Sequence, residues 1–467
     1  MTGVTLLVVP GQAEATAATR ESFDVMAGPE DRWVEADWMS GPGVDTPFAL
    51  LLRAGDRLDP GALRVVSDYA VERGADLVTV DHRVEGRARR APRWMPQLLA
   101  QLPVSGRVVL LSAGLLERVR ALGPVLSQWD LLVRAADLAE HPEHCPAVLV
   151  EQAGPTTTGS VHERLETVRA HLRRTGEDAL VVPTSAGGVV TRARPGWARS
   201  VGVVVPTAFA SRTIEDGTEH VLVHLLLEAL ARTVGPTLLD LDAEIDVEVV
   251  LVVDASCPQD LLDRCSEAWP GRLRVVRTEG DFNYARAVNA GALATGAEVL
   301  LLLNDDVEPL EAGWLQEMLG ALGRPGTAAV GARLLLGDRR RLQHIGTVCP
   351  PEGLPMHARI FEVDDPTHPM AQADVDYLAV TGACLACRRQ DFLSVGGMDE
   401  SLPLNFNDVD LCLKLGVDHG RVVCVNAARL IHRESSTRQV RITPEEEASL
   451  DRWRGVVLRD PHVEYWG

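Results

Sequence analysis

The chain has 467 residues, a net charge of −20 at pH 7 and 46% hydrophobic residues. This length exceeds what one hydrophobic core usually holds and predicts two or three domains, while the hydrophobic content excludes a largely disordered protein. The acidic charge argues against a nucleic-acid partner. No apolar run reaches the ~20 residues that cross a membrane, and the N-terminal residues lack the basic start and cleavage site of a signal peptide. We therefore expect a cytoplasmic protein, with peripheral contact to the inner face of the cell membrane as an open alternative.

The first half alternates short apolar runs with helical patterns. The apolar runs predict strands at residues 4–9, 48–52, 76–80, 108–111 and 147–150. Helices are predicted at residues 60–70, 115–122, 129–134 and 161–175, and residues 12–45 are expected to be irregular. This alternation is typical of an α/β layered domain. Residues 185–195 begin with Ser-Ala-Gly-Gly and predict a linker, so we place the domains at residues 1–195 and 196–467.

The second half repeats the α/β pattern. Strands are predicted at residues 201–205, 247–253, 273–276, 299–303, 328–336, 377–387 and 421–425. Helices are predicted at residues 220–231, from residue 284, at residues 314–322 and 411–415, and in a packing tail from residue 444. The second half is thus expected to form an α/β domain of its own.

The strand predicted at residues 299–303 ends abruptly in Asn304, Asp305 and Asp306. Ligands of an open α/β sheet gather at the carboxyl ends of its strands. Clustered carboxylate and amide oxygens suit a hard divalent cation, Mg²⁺ or Mn²⁺. Because Asn and Asp also favour turns, these three residues by themselves leave a plain polar turn open as the alternative.

Cys384 and Cys387 have the spacing of a redox or zinc motif. No second cysteine pair or His-rich stretch completes a zinc site, and the eight cysteines are scattered along the chain. We therefore expect reduced thiols, with these two buried near one strand.

Four elements of the first half recur in the second half in the same order. The matches are Val9-Pro10-Gly11 with Val205-Pro206-Thr207, residues 50–55 with 301–306, residues 116–119 with 392–395, and residues 130–134 with 410–414. Four matches in order predict a tandem pair of one fold. The first copy has Arg53, Gly55 and Gln128 where the second has Asn304, Asp306 and Asp408. We therefore expect the first copy to have lost its acidic site.

Several short motifs of the second half point to one family. They are Val205-Pro206-Thr207, Val253-Asp254, Phe282-Asn283-Tyr284, Asn289, residues 303–308, Gln343-His344, residues 381–384, 396–400, 406–412 and 432–438. Together they resemble bacterial family 2 glycosyltransferases of the GT-A fold, in particular the rhamnosyltransferase-like enzymes that build O-antigens and other cell-surface glycans. The resemblance is strong over residues 199–467 and weak before them. It implies two tandem GT-A-like α/β domains with mixed, Rossmann-like sheets, the first of them degenerate.

The sequence departs from the family in two places. Ala208 and Phe209 stand where the family usually has a polar pair, and Ala255 stands where it usually has Asn. Part of the nucleotide pocket is therefore expected to be altered.

The resemblance implies a metal-dependent transfer of a sugar from a nucleoside diphosphate. A bound Mg²⁺ or Mn²⁺ would offset the charge of the leaving diphosphate. Asp306 and His432 correspond to the metal-binding residues, and Asn304 lies beside them. Asp305 is either a second ligand or a solvated neighbour. His344 is expected to be structural.

Inversion at the sugar needs a base that takes the proton of the acceptor hydroxyl. Asp408 corresponds to the base of the family, with a helix-capping role as the alternative. Asp410 is expected to be structural because the first copy keeps its counterpart, Asp130. Four further residues are expected to contact the nucleotide: Thr207, Asp254, Asn283 and Asn289. A capping or core role is equally open for Asn283 and Asn289.

The predicted function is an inverting glycosyltransferase of family 2, a hexosyltransferase of cell-surface polysaccharide biosynthesis. Rhamnose from its deoxythymidine diphosphate form is the leading donor, and the acceptor is a growing or lipid-linked glycan. The alternative is an inactive glycan-binding or scaffold protein of the same fold, against which the intact Asn304, Asp306, Asp408 and His432 argue. A sugar-nucleotide pyrophosphorylase would need a Gly-rich basic loop after its first strand, and the sequence has none. A homodimer stays open.

Overall fold

The structure is a computed structural model of the chain. It describes residues 2–90, 94–102, 106, 108–154, 157–184, 188–214, 217–234, 245–350, 353–365, 368, 371–433, 442–457 and 460. The chain forms two compact units. The first comprises Met1–Glu177 with Val181–Thr191, and the second comprises Asp178–Leu180 with Arg192–Trp466.

The first unit is built on a mixed sheet. Its strands are β1 (Val4–Val9), β2 (Arg32–Glu35), β3 (Phe48–Arg53), β4 (Arg57–Leu58), β5 (Leu77–Val84), β6 (Arg87–Arg89), β7 (Val109–Ser112) and β8 (Pro142–Gln152). Its helices are α1 (Ala13–Asp24), α2 (Ala62–Arg73), α3 (Pro96–Gln101), α4 (Ala113–Ala121), α5 (Gln128–Leu138) and α6 (Val161–Thr175). The strand order is β2-β1-β3-β7-β5-β8-β4, with β6 paired to β5. A separate hairpin follows, made of β9 (Ala179–Pro183) and β10 (Val189–Ala193).

The second unit is built on a larger mixed sheet. Its strands up to the site are β11 (Ser200–Pro206), β12 (Ser211–Thr213), β13 (Glu219–Val221), β14 (Asp246–Asp254), β15 (Arg272–Thr278), β16 (Val299–Leu303) and β17 (Val307–Pro309). The later strands are β18 (Thr327–Leu336), β19 (Leu342–His344), β20 (Thr347–Val348), β21 (Met356–His357), β22 (Val375–Tyr377), β23 (Cys384–Arg388) and β24 (Arg421–His432). The main order is β15-β14-β11-β16-β23-β18-β24-β17, with β19 paired to β18 and β22 to β24.

Helices flank this second sheet and close the chain. They are α7 (Leu222–Thr233), α8 (Gln259–Ala268), α9 (Tyr284–Ala294), α10 (Trp314–Leu322), α11 (Arg389–Ser394), α12 (Asn407–His419), α13 (Pro444–Ser449) and α14 (Arg454–Val457). A 3-10 turn, Leu450–Trp453, joins the last two. Within the described residues, none of these helices combines the length and the apolarity needed to cross a membrane.

The two sheets share one topology. The order β2-β1-β3-β7-β5-β8-β4 of the first unit corresponds to β14-β11-β16-β23-β18-β24-β17 of the second. Strand directions agree as well, since the first strand of each unit runs parallel to both of its neighbours. The next pair is antiparallel in both units, β3 with β7 and β16 with β23. The predicted fold class, two tandem α/β domains with mixed sheets, is therefore confirmed.

The strand registers show which residues correspond between the units. Phe48 pairs with Ser112, the last residue of β7, and Val299 pairs with Arg388, the last residue of β23. Both of these strands lead directly into a helix, so Phe48 and Val299 occupy equivalent positions in the two units. Counting on from them puts Arg53 at the place of Asn304, as the repeat predicts.

The same comparison on the last strands, β8 and β24, puts Gln152 at the place of His432. The sequence repeat did not show this replacement. In the first unit Val4 pairs with Phe48, and in the second unit Val201 pairs with Val299. Counting on from these pairs puts Val9 at the place of Pro206. The predicted match of Val9 with Val205 is therefore displaced by one position.

Three local predictions are wrong. Residues 12–45 contain α1 and β2, and the helix escaped notice because only Thr19 and Phe23 of its residues are buried. The predicted linker at residues 185–195 contains β10. The single strand predicted at residues 377–387 is two strands, β22 and β23, which are separated by the loop that carries Thr381 and Gly382.

The centre of the second unit is β16, whose five residues are all buried. A strand covered on both faces reads as a continuous apolar run, which is why residues 299–303 carry no polar side chain. Helix α9 packs close to the neighbouring strands at Gly291, where an added Cβ would lie 2.4 Å from Cγ1 of Val204. This core fixes the carboxyl end of β16, and with it the position of Asn304 to Asp306.

Three segments distinguish the second unit from the first. The hairpin β12–β13 lies between β11 and α7, whereas β1 and α1 are joined by residues 10–12. The segment α8–β15–α9 lies between β14 and β16, whereas residues 36–47 join β2 to β3. Residues 337–374, with β19, β20 and β21, form a long excursion between β18 and β22. The loop before the hairpin and the other two segments contribute to the cavity described next.

Candidate active site

A cavity of about 580 Å³ lies at the carboxyl end of β16. The strand ends and the helix α12 supply polar lining residues: Asn304, Asp305, Asp306, Thr381, Asn407, Asp408 and His432. The loop that leads from β11 into the β12–β13 hairpin supplies Ala208 and Ala210. The other two added segments supply Phe282, Tyr284, Gln343, Thr347, Leu354, Pro355, His357 and Ile360. The structure thus brings together the predicted metal site and the predicted base. It places Thr207, Asp254, Asn283 and Asn289 outside this lining.

The turn after β16 presents oxygen atoms to the cavity. The Asn304 backbone N–H donates to the Ala383 carbonyl at 3.0 Å, which ties the turn to β23. Oδ1 of Asn304 is buried and has no hydrogen-bond partner among the described residues. Oδ1 of Asp306 lies 3.1 Å from Nε2 of His432, which β24 brings opposite the turn. This arrangement leaves hard oxygen donors facing an imidazole.

The surroundings of Asp306 favour its charged form. Burial alone would raise the pKa of the Asp306 carboxyl, but the charge and hydrogen bond of His432 and the charge of Arg212 outweigh it and leave the pKa below its ordinary value. The two side chains are 17% and 7% exposed, so water screens their interaction only in part. A charged carboxylate at this place is what a divalent cation requires.

Asp305 has a different environment from its neighbour. Its Oδ2 accepts a hydrogen bond from Oγ1 of Thr207 at 2.7 Å. Burial is the main cause that raises the pKa of Asp305 to about 6. Thr207, predicted to contact the nucleotide, thus orients Asp305.

The donor set fits a divalent cation that a substrate helps to hold. Within the described part of the chain, no three His, Cys, Asp or Glu side chains are grouped to hold a metal ion. Asp306, His432 and the partnerless oxygen of Asn304 are the available donors. Mg²⁺ is commonly held by one or two carboxylates together with substrate phosphates and water. These residues therefore fit such a cation better than a metal enclosed by protein alone.

Asp408 lies in the first turn of α12 and is oriented by backbone donors. Its Oδ2 accepts from the Gly382 N–H at 2.8 Å, and its Oδ1 accepts from the Val409 N–H at 2.8 Å. The Tyr284 hydroxyl donates to the Gly382 carbonyl at 3.0 Å. An added Cβ on Gly382 would lie 3.3 Å from Cβ of Asp408, so glycine allows this close approach.

Tyr284 stays a neutral phenol. Burial, followed by the charges of Asp408, Asp306 and Asp305, raises its pKa far above the ordinary value. It therefore serves as a hydrogen-bond donor between the acidic groups of the cavity.

The turn before α12 is strained and is held from outside. Phe406 precedes the helix with φ 61°, the left-handed region that few non-glycine residues adopt. Its neighbour Asn405 donates its backbone N–H to Oε1 of Glu446 at 2.9 Å and its side-chain amide to Oε2 at 2.8 Å. Glu446 is buried and also forms the capping box of α13 with Thr443. The C-terminal helix thus supports the turn that leads to Asp408.

The remaining predicted nucleotide residues make structural contacts. Asn283 caps α9 by accepting from the Arg286 N–H at 2.9 Å, and its amide donates to the Glu400 carbonyl at 2.8 Å. Asn289 bonds the backbone of Met398 through both atoms of its amide, each at 2.9 Å. Asp254 is exposed and accepts from the Ser256 N–H at 2.8 Å. For Asn283 and Asn289, these contacts match the capping and core alternative.

Two residues have the structural contacts that the sequence suggested. His344 is fully buried, and Nε2 accepts from the Thr381 N–H at 3.2 Å. Burial, together with His357 and His432, lowers the pKa of His344 well below its ordinary value. Asp410 lies 3.0 Å from Nζ of Lys414 and accepts from Nε1 of Trp453 at 2.9 Å.

Cys384 and Cys387 are buried free thiols, as predicted, and the other cysteines are free too. Residues 434–438, part of the last motif, lie outside the described residues.

Sequence reasoning missed Phe282, Tyr284, Gly382 and His357 as cavity residues. Phe282 and Tyr284 flank Asn283 in one of the motifs, so their position in the sequence was a usable signal. Nothing in the sequence indicates that Gly382 meets Asp408.

Part of the chain matches a known protein family. Residues 223–368 match the family model described as Glycosyl transferase family 2, a range that contains Asn304 to Asp306 but neither Asp408 nor His432. The chain is 28% identical to an uncharacterised protein of Sinorhizobium fredii, with 87% of this chain and 46% of that protein covered. It is also 28% identical to the O-antigen biosynthesis protein RfbC of Myxococcus xanthus, with 95% and 34% covered. The chain thus spans less than half the length of either relative.

Among solved structures, the chain is similar to GalNAc-T7, crystallised with UDP, GalNAc and Mn²⁺. The TM-score is 0.42 at 15% identity, with 58% of this chain and 50% of that chain covered. This likeness is too distant to say which ligand this chain binds.

Proposed function

We propose that this chain, which carries a family 2 glycosyltransferase domain of the GT-A type, transfers a sugar with inversion from a nucleoside diphosphate to a glycan. The observation that carries the proposal is the meeting of Asp306, His432 and Asp408 in one cavity at the end of β16. The carboxylate of Asp306, with the neighbouring atoms that can bind a hard cation, suits the diphosphate of the nucleotide sugar. A second carboxylate, on a different element, suits the acceptor end.

Asp306, His432 and Oδ1 of Asn304 would hold a divalent cation, Mg²⁺ or Mn²⁺. When bound, the cation supplies positive charge to the leaving diphosphate. The buried oxygen of Asn304, which has no partner among the described residues, supports this assignment, because such an atom costs about 1–3 kcal/mol unless something pairs with it. The lowered pKa of Asp306 supports it too, since its surroundings favour a charged carboxylate.

Asp408 would act as the base. It takes the proton of the acceptor hydroxyl while that oxygen attacks the anomeric carbon and the bond from the sugar to the diphosphate breaks. The hydrogen bonds from Gly382 and Val409 fix the direction of the carboxylate. Each oxygen keeps a further lone pair for the incoming proton.

For the donor we propose rhamnose on deoxythymidine diphosphate, on the strength of the motif resemblance. For the acceptor we propose a growing or lipid-linked cell-surface glycan. The name of the Myxococcus xanthus relative, an O-antigen biosynthesis protein, is in keeping with that acceptor.

The test is a thermal-shift screen of nucleotide sugars with Mn²⁺, with Mg²⁺ and with EDTA, followed by a donor hydrolysis assay. A ligand that binds the native state raises its apparent stability. We expect a metal-dependent shift with one donor, and turnover of that donor. Asp306→Ala should lose both, while Asp260→Ala, an exposed carboxylate on α8, should keep both. A metal-dependent shift without any turnover would support the inactive glycan-binding alternative.

A further inference from the structure

The hairpin β12–β13 is one of the segments that only the second unit has. It follows β11, and its strands pair in the register Ser211 with Val221 and Arg212 with His220. The Leu222 N–H closes its base by donating to the Ala210 carbonyl at 2.9 Å. Ala210, directly before β12, lines the cavity, and Arg212 follows it two residues later without itself being a lining residue.

The Arg212 side chain is fixed beside the metal-site residues. Its Nη1 donates to the Arg433 carbonyl at 2.6 Å. The N–H of the same Arg433 donates to the Asp306 carbonyl at 2.9 Å. Because Arg433 directly follows His432, one backbone segment connects Arg212 to both Asp306 and His432. The guanidinium is thus held by backbone rather than by a carboxylate.

The charge balance of the cavity calls for a cation at this place. Three carboxylates line the cavity, and within the described residues no Arg or Lys does. The structure shows no salt bridge between Arg212 and a described carboxylate, although its charge acts on Asp306. A nucleoside diphosphate adds at least two negative charges, so one divalent cation leaves the occupied cavity negative.

We propose that Arg212 binds the diphosphate of the nucleotide donor, which rests on the function proposed above. A guanidinium has five N–H donors in a rigid fork, and the bond to Arg433 uses one of its nitrogens. Among the described residues nothing else is bonded to this guanidinium, so its other edge can pair with phosphate oxygens in the two-bond geometry for which arginine is suited. The hairpin is then a phosphate-binding element added to the basic fold.

The experiment compares Arg212→Gln and Arg212→Lys with the unmodified full chain. Each is titrated by calorimetry with UDP, GDP and dTDP in the presence of Mn²⁺, and the diphosphate that binds the unmodified chain is used throughout. Glutamine keeps an amide donor for the Arg433 carbonyl but has no charge, whereas lysine keeps the charge. We expect Arg212→Gln to lose about 10- to 100-fold in affinity, the worth of a charged hydrogen bond. Arg212→Lys should lose several-fold less.

The matched control is Arg232→Gln, which removes the charge of a largely exposed arginine on α7. This variant should bind the diphosphate as the unmodified chain does. Thermal stability without ligand is measured for all variants. The inference is overturned if Arg212→Gln binds the diphosphate as tightly as the unmodified chain. It is also overturned if both Arg212 variants weaken binding equally and lose unliganded stability, since Arg212 would then only hold the Arg433 segment. If the unmodified chain binds none of the three diphosphates, the proposed function itself fails.

Discussion

Replacing Asp408 with Asn tests whether this residue is the base or a helix cap. As a positioned base, Asp408 should be worth about 10² to 10⁴ in turnover, which is roughly 3–5 kcal/mol of activation free energy. The substitution also disturbs the fold, because both carboxylate oxygens accept backbone N–H groups, from Gly382 and Val409. An amide has one oxygen, so one of these N–H groups would face an NH₂ group and lose its partner. That loss costs about 1–3 kcal/mol of unfolding free energy.

A matched variant separates the chemical loss from the structural one. Tyr284→Phe removes the hydrogen bond to the Gly382 carbonyl, 3.0 Å long, and so weakens the same loop without touching the carboxylate. We expect it to cost about 1 kcal/mol in stability. Its turnover should stay within about tenfold of the unmodified chain, since its role is to hold Gly382.

The assay is steady-state sugar transfer, or donor hydrolysis, with thermal unfolding and donor affinity measured in parallel. We expect Asp408→Asn to bind donor normally, to melt a few degrees lower, and to turn over at least 100-fold more slowly than Tyr284→Phe. If the two variants lose turnover to the same extent, or if Asp408→Asn loses donor affinity in step with stability, the helix-cap interpretation is correct and the base lies elsewhere.

Three further perturbations follow from the contacts described above. Calorimetry with Mn²⁺ and a nucleoside diphosphate should find one site per chain, and none in Asp306→Ala. A site that survives in this variant would contradict the metal assignment. Glu446→Gln replaces one of the two oxygens that accept hydrogen bonds from Asn405 by an NH₂ group. Turnover should fall about tenfold or more, while the affinity for the nucleotide sugar changes little. An unchanged rate would show that α13 does not position Asp408. Burial raises the pKa of Glu317 to about 7 despite Arg192 at 3.2 Å. Because that pKa lies above the unfolded value, Glu317 lowers stability as pH rises from about 4 to 7. The stability of Glu317→Gln relative to the unmodified chain, measured by urea unfolding, should therefore be higher at pH 8 than at pH 5 by on the order of 2 kcal/mol.

The sequence predicted the centre of the site because its signal is local. A fully buried strand must be apolar throughout, so the abrupt change after Leu303 marks a strand end, and the residues after it must lie at a sheet edge. The repeat predicted the fold for a similar reason, since corresponding strands keep their apolar runs. Both predictions rest on neighbours in the chain and need no knowledge of distant contacts.

The residues predicted to contact the nucleotide have hydrogen-bond partners that the sequence does not reveal. Asn283 and Asn289 stand in the right motifs, but their amides are occupied by Glu400 and Met398, more than a hundred residues further along the chain. The bond from Thr207 to Asp305 spans a similar distance. A polar side chain is free for a ligand only when no distant partner binds it, and only the three-dimensional structure reveals such partners. The hairpin that carries Arg212 escaped prediction because its strands have three residues each and no apolar run.

The duplicated fold separates what the scaffold needs from what the chemistry needs. Both units keep a buried Asp with a basic partner four residues later, Asp130 with Arg134 and Asp410 with Lys414, so this pair belongs to the fold. The first unit lacks a hydrogen-bonded hairpin after its first strand, the α8–β15–α9 segment and the long excursion after its fifth strand, as far as its described residues show.

The first unit also differs from the second at the residues that correspond to the proposed metal site. The first unit has Arg53 where the second has Asn304, and a fixed positive charge there repels a cation. Gln152 stands at the place of His432, and its amide is a weaker metal ligand than imidazole. The nearby carboxylate, Asp56, is buried and accepts from the Arg53 and Ala153 N–H groups, so its oxygens already serve the backbone. A cation in the first unit would have to displace these hydrogen bonds, and it would lie beside the guanidinium of Arg53. We therefore expect one cation-binding site per chain, in the second unit.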